Sequence, residues 1–296
     1  MLKISVILPN YNHANFLEIS VSNIMNQSPP PYELIVIDDG STDESVKIIK
    51  KLNLRYPNLR AVYLKKNVGA LKAGKVGLKL SKGNYLQFAA ADDQVLPNTF
   101  QIFQKLYEKF PNQVMYAGEA LVIGSNKKKS IRPLIGVSIR TKYISPKSYL
   151  RKLRISDNLI MSMSTIVNKE IFLKYGGFDK NLDAATDSFF YRELALKFGF
   201  VYTPIPLVKW NIFVNSASRS LLQNISRFNN MMEYSLIRIE NNPLFPKWYE
   251  KKFVQRNSFS AFNISTELTN PNLELLDNLL PNQKIYKKMF FCISKI

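Results

Sequence analysis

Up to Phe110, short apolar runs alternate with helically spaced apolar positions. Lys3–Leu8 is an apolar run that stops at Pro9 and predicts a buried strand. Leu17, Val21, Ile24 and Met25 then recur at helical spacing within Asn15–Gln27, and Pro29-Pro30-Pro31 breaks that helix. Glu33–Ile37 predicts a second strand, ending in the turn Asp38-Asp39-Gly40-Ser41. Ser41 or Thr42 is placed to cap a helix reaching about Asn53. Arg60–Leu64 reads as a third strand, Val68–Ser81 as a glycine-punctuated helix ended by Gly83, and Tyr85–Ala90 as a fourth strand. Asn98–Phe110 is an amphipathic helix with Ile102, Phe103, Leu106 and Phe110 on one face.

Uniformly apolar strands alternating with helices predict an α/β fold with a parallel sheet covered on both faces. Ligands of such sheets bind at the carboxyl ends of the strands. Three polar clusters fall there: Pro9-Asn10-Tyr11-Asn12, Asp38-Asp39-Gly40-Ser41 and Asp92-Asp93. Beyond Gln113 the pattern changes. Val114–Ile123 reads as another strand, and Lys127-Lys128-Lys129 as a basic loop. One or two short helices are expected between 143 and 170, and Ser188–Phe198 is a helix ended by Gly199. Val201–Pro204 and Leu207–Phe213 look extended, and residues 221–296 are helical in character.

Composition narrows the chemistry. With 296 residues, 46% hydrophobic and 12% aromatic, the chain can bury a sizeable core. A single cysteine, Cys292, excludes an intrachain disulfide and a cysteine-based zinc site, and a single histidine, His13, excludes a multi-histidine metal site. A bound metal must therefore lean on carboxylates, which suits magnesium or manganese. Leu8 and Pro9 lead into Asn10 without a GxGxxG, and no GxxxxGK[ST] occurs, which removes the dinucleotide-binding and P-loop readings. The net charge of +19 calls for an anionic partner (nucleic acid, a membrane surface or a phosphorylated substrate) or reflects a lysine-rich composition. No stretch reads as a secretory signal or as an apolar span of about 20 residues, so a cytoplasmic location is expected.

Each cluster has a structural and a chemical reading. Asp38 and Asp39 can form a tight turn and cap, or accept hydrogen bonds from a ribose or a base. Asp92 and Asp93 repel one another unless a cation sits beside them, as a divalent metal carrying a diphosphate would. Asp187 can cap the helix that follows it, or serve as a general base at the mouth of a pocket.

In order along the chain, Val6–Asn12, Leu34–Asp43, Asn67-Val68-Gly69, Lys82–Tyr85, Ala91-Asp92-Asp93 and Gly176-Gly177-Phe178-Asp179 with Asp187 resemble the signatures of family 2 inverting glycosyltransferases. The resemblance covers roughly residues 3–220. It implies the GT-A fold, Rossmann-like and mostly parallel with flanking helices, over 1–220. A nucleotide-binding half would occupy about 1–112 and an acceptor half about 113–220, with a helical C-terminal extension over 221–296. It implies that Pro9, Tyr11 and Asp38 line the nucleoside pocket, with Tyr11 against the base and Asp38 on the uracil edge. Asp39 would help with the ribose or the loop, and Gly69 would let the backbone approach the nucleotide. Asp92 would ligate Mn2+ or Mg2+ on the donor diphosphate, Asp93 would contact the donor sugar or support the metal shell, and Asp187 would deprotonate the acceptor hydroxyl. The implied partners are a nucleotide-sugar donor, UDP-linked, and a glycan or lipid-linked acceptor, in bacterial surface polysaccharide synthesis; nucleic acid is not expected.

The chain departs from the pattern in three places. Ala90 stands where the first acid of the DxD motif would be, Thr186 replaces the acidic neighbour of the base, and Asn211 and Phe213 occupy a segment where many members carry Arg and a metal-proximal His. These losses motivate an alternative, a GT-A-like binding or scaffold protein with degenerate motifs. Ile285, Met289, Cys292, Ile293 and Ile296 recur at helical spacing among lysines. That tail reads either as a helix packed on its domain or as a peripheral contact with the anionic inner face of the cell membrane.

Overall fold

The four apolar runs become β1 (Ile4–Asn10), β2 (Glu33–Asp38), β3 (Leu59–Tyr63) and β4 (Tyr85–Phe88), each parallel to its neighbour in the order β3-β2-β1-β4. They belong to a ten-stranded sheet. The other members are β5 (Gln94–Val95), β6 (Met115–Ile123), β7 (Lys129–Arg132), β8 (Lys142–Ile144), β9 (Thr165–Asn168) and β10 (Phe200–Asn211). The computed structural model describes residues 1–123, 129–132, 137–157, 160–211, 220–221 and 224–267. The order continues β4-β9-β6-β10-β5, with β7 on β6 and β8 on β10. Because β9 is antiparallel to both β4 and β6, and β10 is parallel to β6, the strands β1, β2, β3, β4, β6 and β10 all run one way. Their carboxyl ends therefore share one edge.

Strand alternation divides the core. Val6, Leu8, Leu34 and Val36 meet α1 (Ala14–Met25), α2 (Ser45–Arg55) and α4 (Thr99–Lys109) through Leu17, Val21, Ile24, Ile49, Leu52, Phe103 and Leu106, all essentially buried. The alternate residues Ile7 and Ile37 meet α3 (Ala70–Leu80), where a Cβ on Gly77 would come within 2.6 Å of Ile7. Each such aliphatic side chain contributes about 1.5–3 kcal/mol of burial. The rest of the sheet is covered by α5 (Pro146–Leu153), α6 (Lys169–Lys174) and α7 (Thr186–Phe198), with Phe88, Phe172, Phe178 and Phe190 in edge and tilted contacts 4.7–5.9 Å apart.

Several boundaries differ from the sequence expectation. Pro9 does not stop β1: it pairs with Ile37 inside the strand. The Ile7 carbonyl accepts from Ala89 on the β4 side and the Asn10 carbonyl accepts from Asp39 on the β2 side. Pro9 thus aims its missing N–H toward β4, where pairing has already ended, and loses nothing. Neither Ser41 nor Thr42 caps α2. Asp43 does so, its Oδ1 accepting from the Ser45 N–H at 3.0 Å while its Oδ2 accepts from the Ala14 N–H at the start of α1. These bonds hold the Asp43 carboxyl below the usual carboxylate range against a raising effect of burial. Extended backbone at Ser81, not Gly83, ends α3. Val201–Pro204 and Leu207–Asn211 are one strand, bulged around Pro206. Of the expected basic loop, Lys127 and Lys128 lie outside the described residues, as does Phe213.

The chain divides into two compact units, Met1–Lys180 with Thr186–Phe213, and Asn181–Ala185 with Val214–Ile296. The described part of the second unit holds helices Ile225–Glu240 and Lys247–Glu267. Asn224 caps the first, accepting from the Arg227 N–H, and Phe228, Met231, Met232, Tyr249 and Phe253 are buried. Arg227 also grips both carboxylate oxygens of Asp183 at 2.9–3.1 Å. Asp183 sits at φ +47°, a conformation that non-glycine residues rarely adopt. The tail from Ile285 to Ile296 lies outside the described residues.

Candidate active site at the carboxyl edge of the sheet

The loops leaving β1, β2 and β3 are cross-braced. Asp38, buried at the end of β2, accepts from Asn10 Nδ2 at 3.0 Å through Oδ1 and from the Ser41 N–H at 3.0 Å through Oδ2. Ser41 Oγ accepts from the Asn12 N–H, and Asn12 Oδ1 accepts from the Thr42 N–H. Asn12 reaches both through a left-handed backbone, φ +55°. Asp39, 2% exposed, reaches the third loop: Oδ1 accepts from the Val68 N–H and Oδ2 from the Gly69 N–H, both at 2.8 Å. A charge-assisted pair of this kind fixes loop position more firmly than neutral bonds do. Two glycines make the arrangement feasible. Gly40 has φ +73°, and a Cβ there would lie 2.7 Å from the Lys66 backbone. Gly69 has φ +90° as the N-cap of α3, with open space on the side where a Cβ would stand. Tyr11 is exposed and Pro9 is half-buried.

The fourth loop, after β4, carries the carboxylate pair. Asp93 is buried and Asp92 half-exposed. Asn211, at the end of β10, holds the turn: its N–H donates to Asp93 Oδ1 at 3.1 Å and its Nδ2 donates to the Asp92 carbonyl at 2.8 Å. Burial, reinforced by the Asp92 charge and opposed by the Asn211 N–H, pushes Asp93 up to about 8. Asn211 lies in the segment where the family pattern carries Arg and His, and no local motif signals its bracing role.

Asp187 opens α7, where its Oδ1 accepts from the Ser188 N–H at 2.6 Å. Its carboxyl is raised by burial and pulled back by that N–H, by the Ser162 side chain and by Arg192. Arg192 is itself buried and paired with Asp157 at 2.7 Å. Ser162 belongs to the 3-10 turn Ser162–Ser164, which Gln87 of β4 fastens through the Met163 carbonyl at 2.7 Å. Met163 and Asp93 both line a small recess with Ala89, Ala90 and Ser20. The turn thus sits between the Asp92-Asp93 loop and Asp187, so the acidic clusters flank one short segment. Thr186, in the place of an acid, keeps its Oγ1 buried without a partner.

Among the described residues no three His, Cys, Asp or Glu groups gather into a metal-holding cluster. The donor set is instead one half-exposed carboxylate, Asp92, beside a buried second, Asp93. That set does not suit a cation wholly caged by protein. It fits Mn2+ or Mg2+, which take one or two carboxylates and complete their shell with water and substrate phosphates.

The mixed sheet, with its braced carboxyl-edge loops, has the architecture of the GT-A glycosyltransferases. The chain belongs to glycosyl transferase family 2, whose profile matches residues 5–175, more than half its length. The minor teichoic acid biosynthesis protein GgaB of Bacillus subtilis (strain 168) is 27% identical over 241 residues, covering 80% of this chain and 26% of GgaB. Matches to three other curated relatives span 15% to 38% of each relative's own length. Among solved structures, S. aureus TarS 1–349 in complex with UDP-GlcNAc superimposes with a TM-score of 0.71 at 18% identity, covering 94% of this chain and 80% of TarS. The mannosyltransferase PcManGT of Pyrobaculum calidifontis, in complex with GDP-Man and Mn2+, gives 0.62 at 16%, covering 97% and 83%. No helix among the described residues is long and apolar enough to cross a membrane.

Proposed function

We propose that this chain transfers a sugar from a UDP-sugar to a hydroxyl of a glycan or lipid-linked acceptor, with inversion, in bacterial surface polymer synthesis. The observation that carries the reading is geometric: two adjacent carboxyls on the loop after β4, Asp93 buried and Asp92 half-exposed, which a cation borne by donor phosphates would stabilise in their charged forms. The name of GgaB and the UDP-GlcNAc bound to TarS support the polymer and the donor class.

In this reading Pro9 and Tyr11 flank the nucleobase. Asp38 and Asp39 each spend one lone pair per oxygen on the loop frame. The remaining lone pairs accept from the base and the ribose. Gly69 leaves room for the ribose or phosphates on its open side. Asp92 would hold Mn2+ or Mg2+, and Asp93 would support that shell or the donor sugar. The bound metal would supply Lewis-acid stabilisation of the charge that gathers on the leaving diphosphate. The acceptor oxygen attacks the anomeric carbon from the face opposite the leaving group, forming one C–O bond as the bond to the diphosphate breaks. Asp187 takes the acceptor proton, and its raised affinity for protons suits a general base.

Incubation with a panel of nucleotide sugars, following nucleoside diphosphate release, tests the proposal. Metal-dependent release of UDP from one sugar is expected. The departures at Ala90 and Thr186 favour a second reading, donor binding without turnover. UDP binding with no release from any sugar, with or without acceptor, would select it.

A further inference from the structure

Between Glu119 and Asp157 the chain carries ten Lys or Arg and no Asp or Glu. The described part of this stretch builds one face from β8 and α5. Ser145 caps α5, accepting from the Ser148 N–H, and Pro146 opens it. Tyr149 and Leu153 are buried on one side of the helix, the Tyr149 ring meeting Phe200 edge-on at 5.7 Å. Lys147, Arg151 and Arg154 follow at i, i+4 and i+7 on the exposed side. Arg140, two residues before the edge strand β8, and Lys142, its first residue, add exposed charge. Asp157, the next acid, is buried against Arg192.

Local helix energetics do not explain this charge. Cations in the last turn of α5 complement its dipole, but Lys147 lies in the first turn, where the dipole opposes it. Like charges at i, i+4 repel one another, so the Lys147–Arg151 pair weakens the isolated helix. Lys152 is lowered by burial and then by the charge of Lys142, so positive potential accumulates across the face. Two exposed aliphatic side chains adjoin its cations along the chain: Ile139, 91% exposed, precedes Arg140, and Ile155, 79% exposed, follows Arg154. The ring of Tyr143 is half out of the protein while its hydroxyl donates to the Phe198 carbonyl.

We propose that the β8–α5 face docks peripherally on an anionic lipid surface. Arg140, Lys142, Lys147, Arg151 and Arg154 meet lipid phosphates, and Ile139 and Ile155 enter the boundary between headgroups and acyl chains. A soluble polyanion would be met by the cations alone and would gain nothing from the two isoleucines, which is why the lipid surface is the fitting partner. The inference is independent of the donor site and of the tail at 285–296.

Flotation of the full chain with phosphatidylcholine vesicles, with and without phosphatidylglycerol, tests it. The wild type floats with the anionic vesicles and stays behind with the neutral ones. Each cation near the surface is worth about fivefold in partitioning, so R140Q/K142Q/R151Q weakens binding about a hundredfold. I139S/I155S weakens it about tenfold or more. K47Q/K50Q/K105Q, the same loss of charge on α2 and α4, changes it by less than about fivefold. All these side chains are exposed, and unchanged circular dichroism and melting confirm that each variant folds. Absence of flotation would overturn the proposal, as would equal loss from both charge sets. If I139S/I155S binds like the wild type while heparin competes equally for both, the face belongs to a soluble polyanion instead.

Discussion

Asp39 joins the loops after β2 and β3 through two backbone N–H groups, and removing it exposes how much the proposed donor site depends on one carboxylate. Asp39 is 2% exposed and accepts from Val68 and Gly69 at 2.8 Å each. A hydrogen bond to a charged group contributes about 1.5–3 kcal/mol, so the pair sets a ceiling of about 3–6 kcal/mol. Val68 and Gly69 lie near the surface, where water can take over part of the loss. Asp39→Ala is therefore expected to destabilise the first unit by about 2–3 kcal/mol, and Asp39→Asn, whose amide nitrogen would set a donor against one of the two backbone N–H groups, by a comparable amount. For a unit of this size each kcal/mol lowers the melting temperature by about 2–4 °C. Calorimetric melting should thus show a drop of about 4–12 °C for Asp39→Ala, with affinity for UDP falling because the Gly69 loop loses its anchor. As a scale, Glu44→Ala removes the exposed Lys47–Glu44 pair and should leave melting near wild type. A melting temperature for Asp39→Ala within about 1 °C of wild type would refute the bracing argument.

Asn211→Ala removes the bond from Nδ2 to the Asp92 carbonyl, and metal-dependent UDP binding, followed by calorimetric titration, should weaken by about three- to tenfold. Glu119 is buried on β6, takes a hydrogen bond from the Tyr202 hydroxyl and leaves Oε2 without a partner; burial pushes it up to about 8. A carboxyl raised in the folded state adds stability that is fully present below about pH 4.5 and is lost as pH rises through about 8. Glu119→Gln should therefore flatten the decline in urea stability between pH 5 and 9 and exceed wild type at the alkaline end; a profile parallel to wild type would contradict this. Asp187→Asn should lower turnover by about 10²–10⁴-fold with donor affinity unchanged, and the wild-type rate should rise with pH above the ordinary carboxylate range because Asp187 is raised.

The parallel half of the sheet was legible in the sequence because its strands are uniformly apolar and its helices carry strong periodicity. β1 to β4 and α1 to α4 fall within a few residues of expectation. The misplaced boundaries share one cause, the absence of tertiary context. Pro9 is tolerated only because pairing with β4 has ended, and Asp43 wins the caps of two helices because a neighbouring loop lies across it. The strands β5, β7 and β8 are two to four residues long and exist through partners distant in sequence, so no local pattern announces them. At the site, the motif residues were legible but their bonds were not. Asp38 and Asp39 sit side by side yet brace different loops, and Asn211 reaches the acidic pair from 118 positions away.

The most direct test of the donor site is titration of UDP into the wild-type chain and into Asp92→Ala, each in Mn2+ and in chelator. The account predicts binding by the wild type in Mn2+, at least about tenfold weaker in chelator, with Asp92→Ala in Mn2+ reduced to the chelator value. Failure of the wild type to bind UDP, or equal affinity in all four conditions, would contradict it.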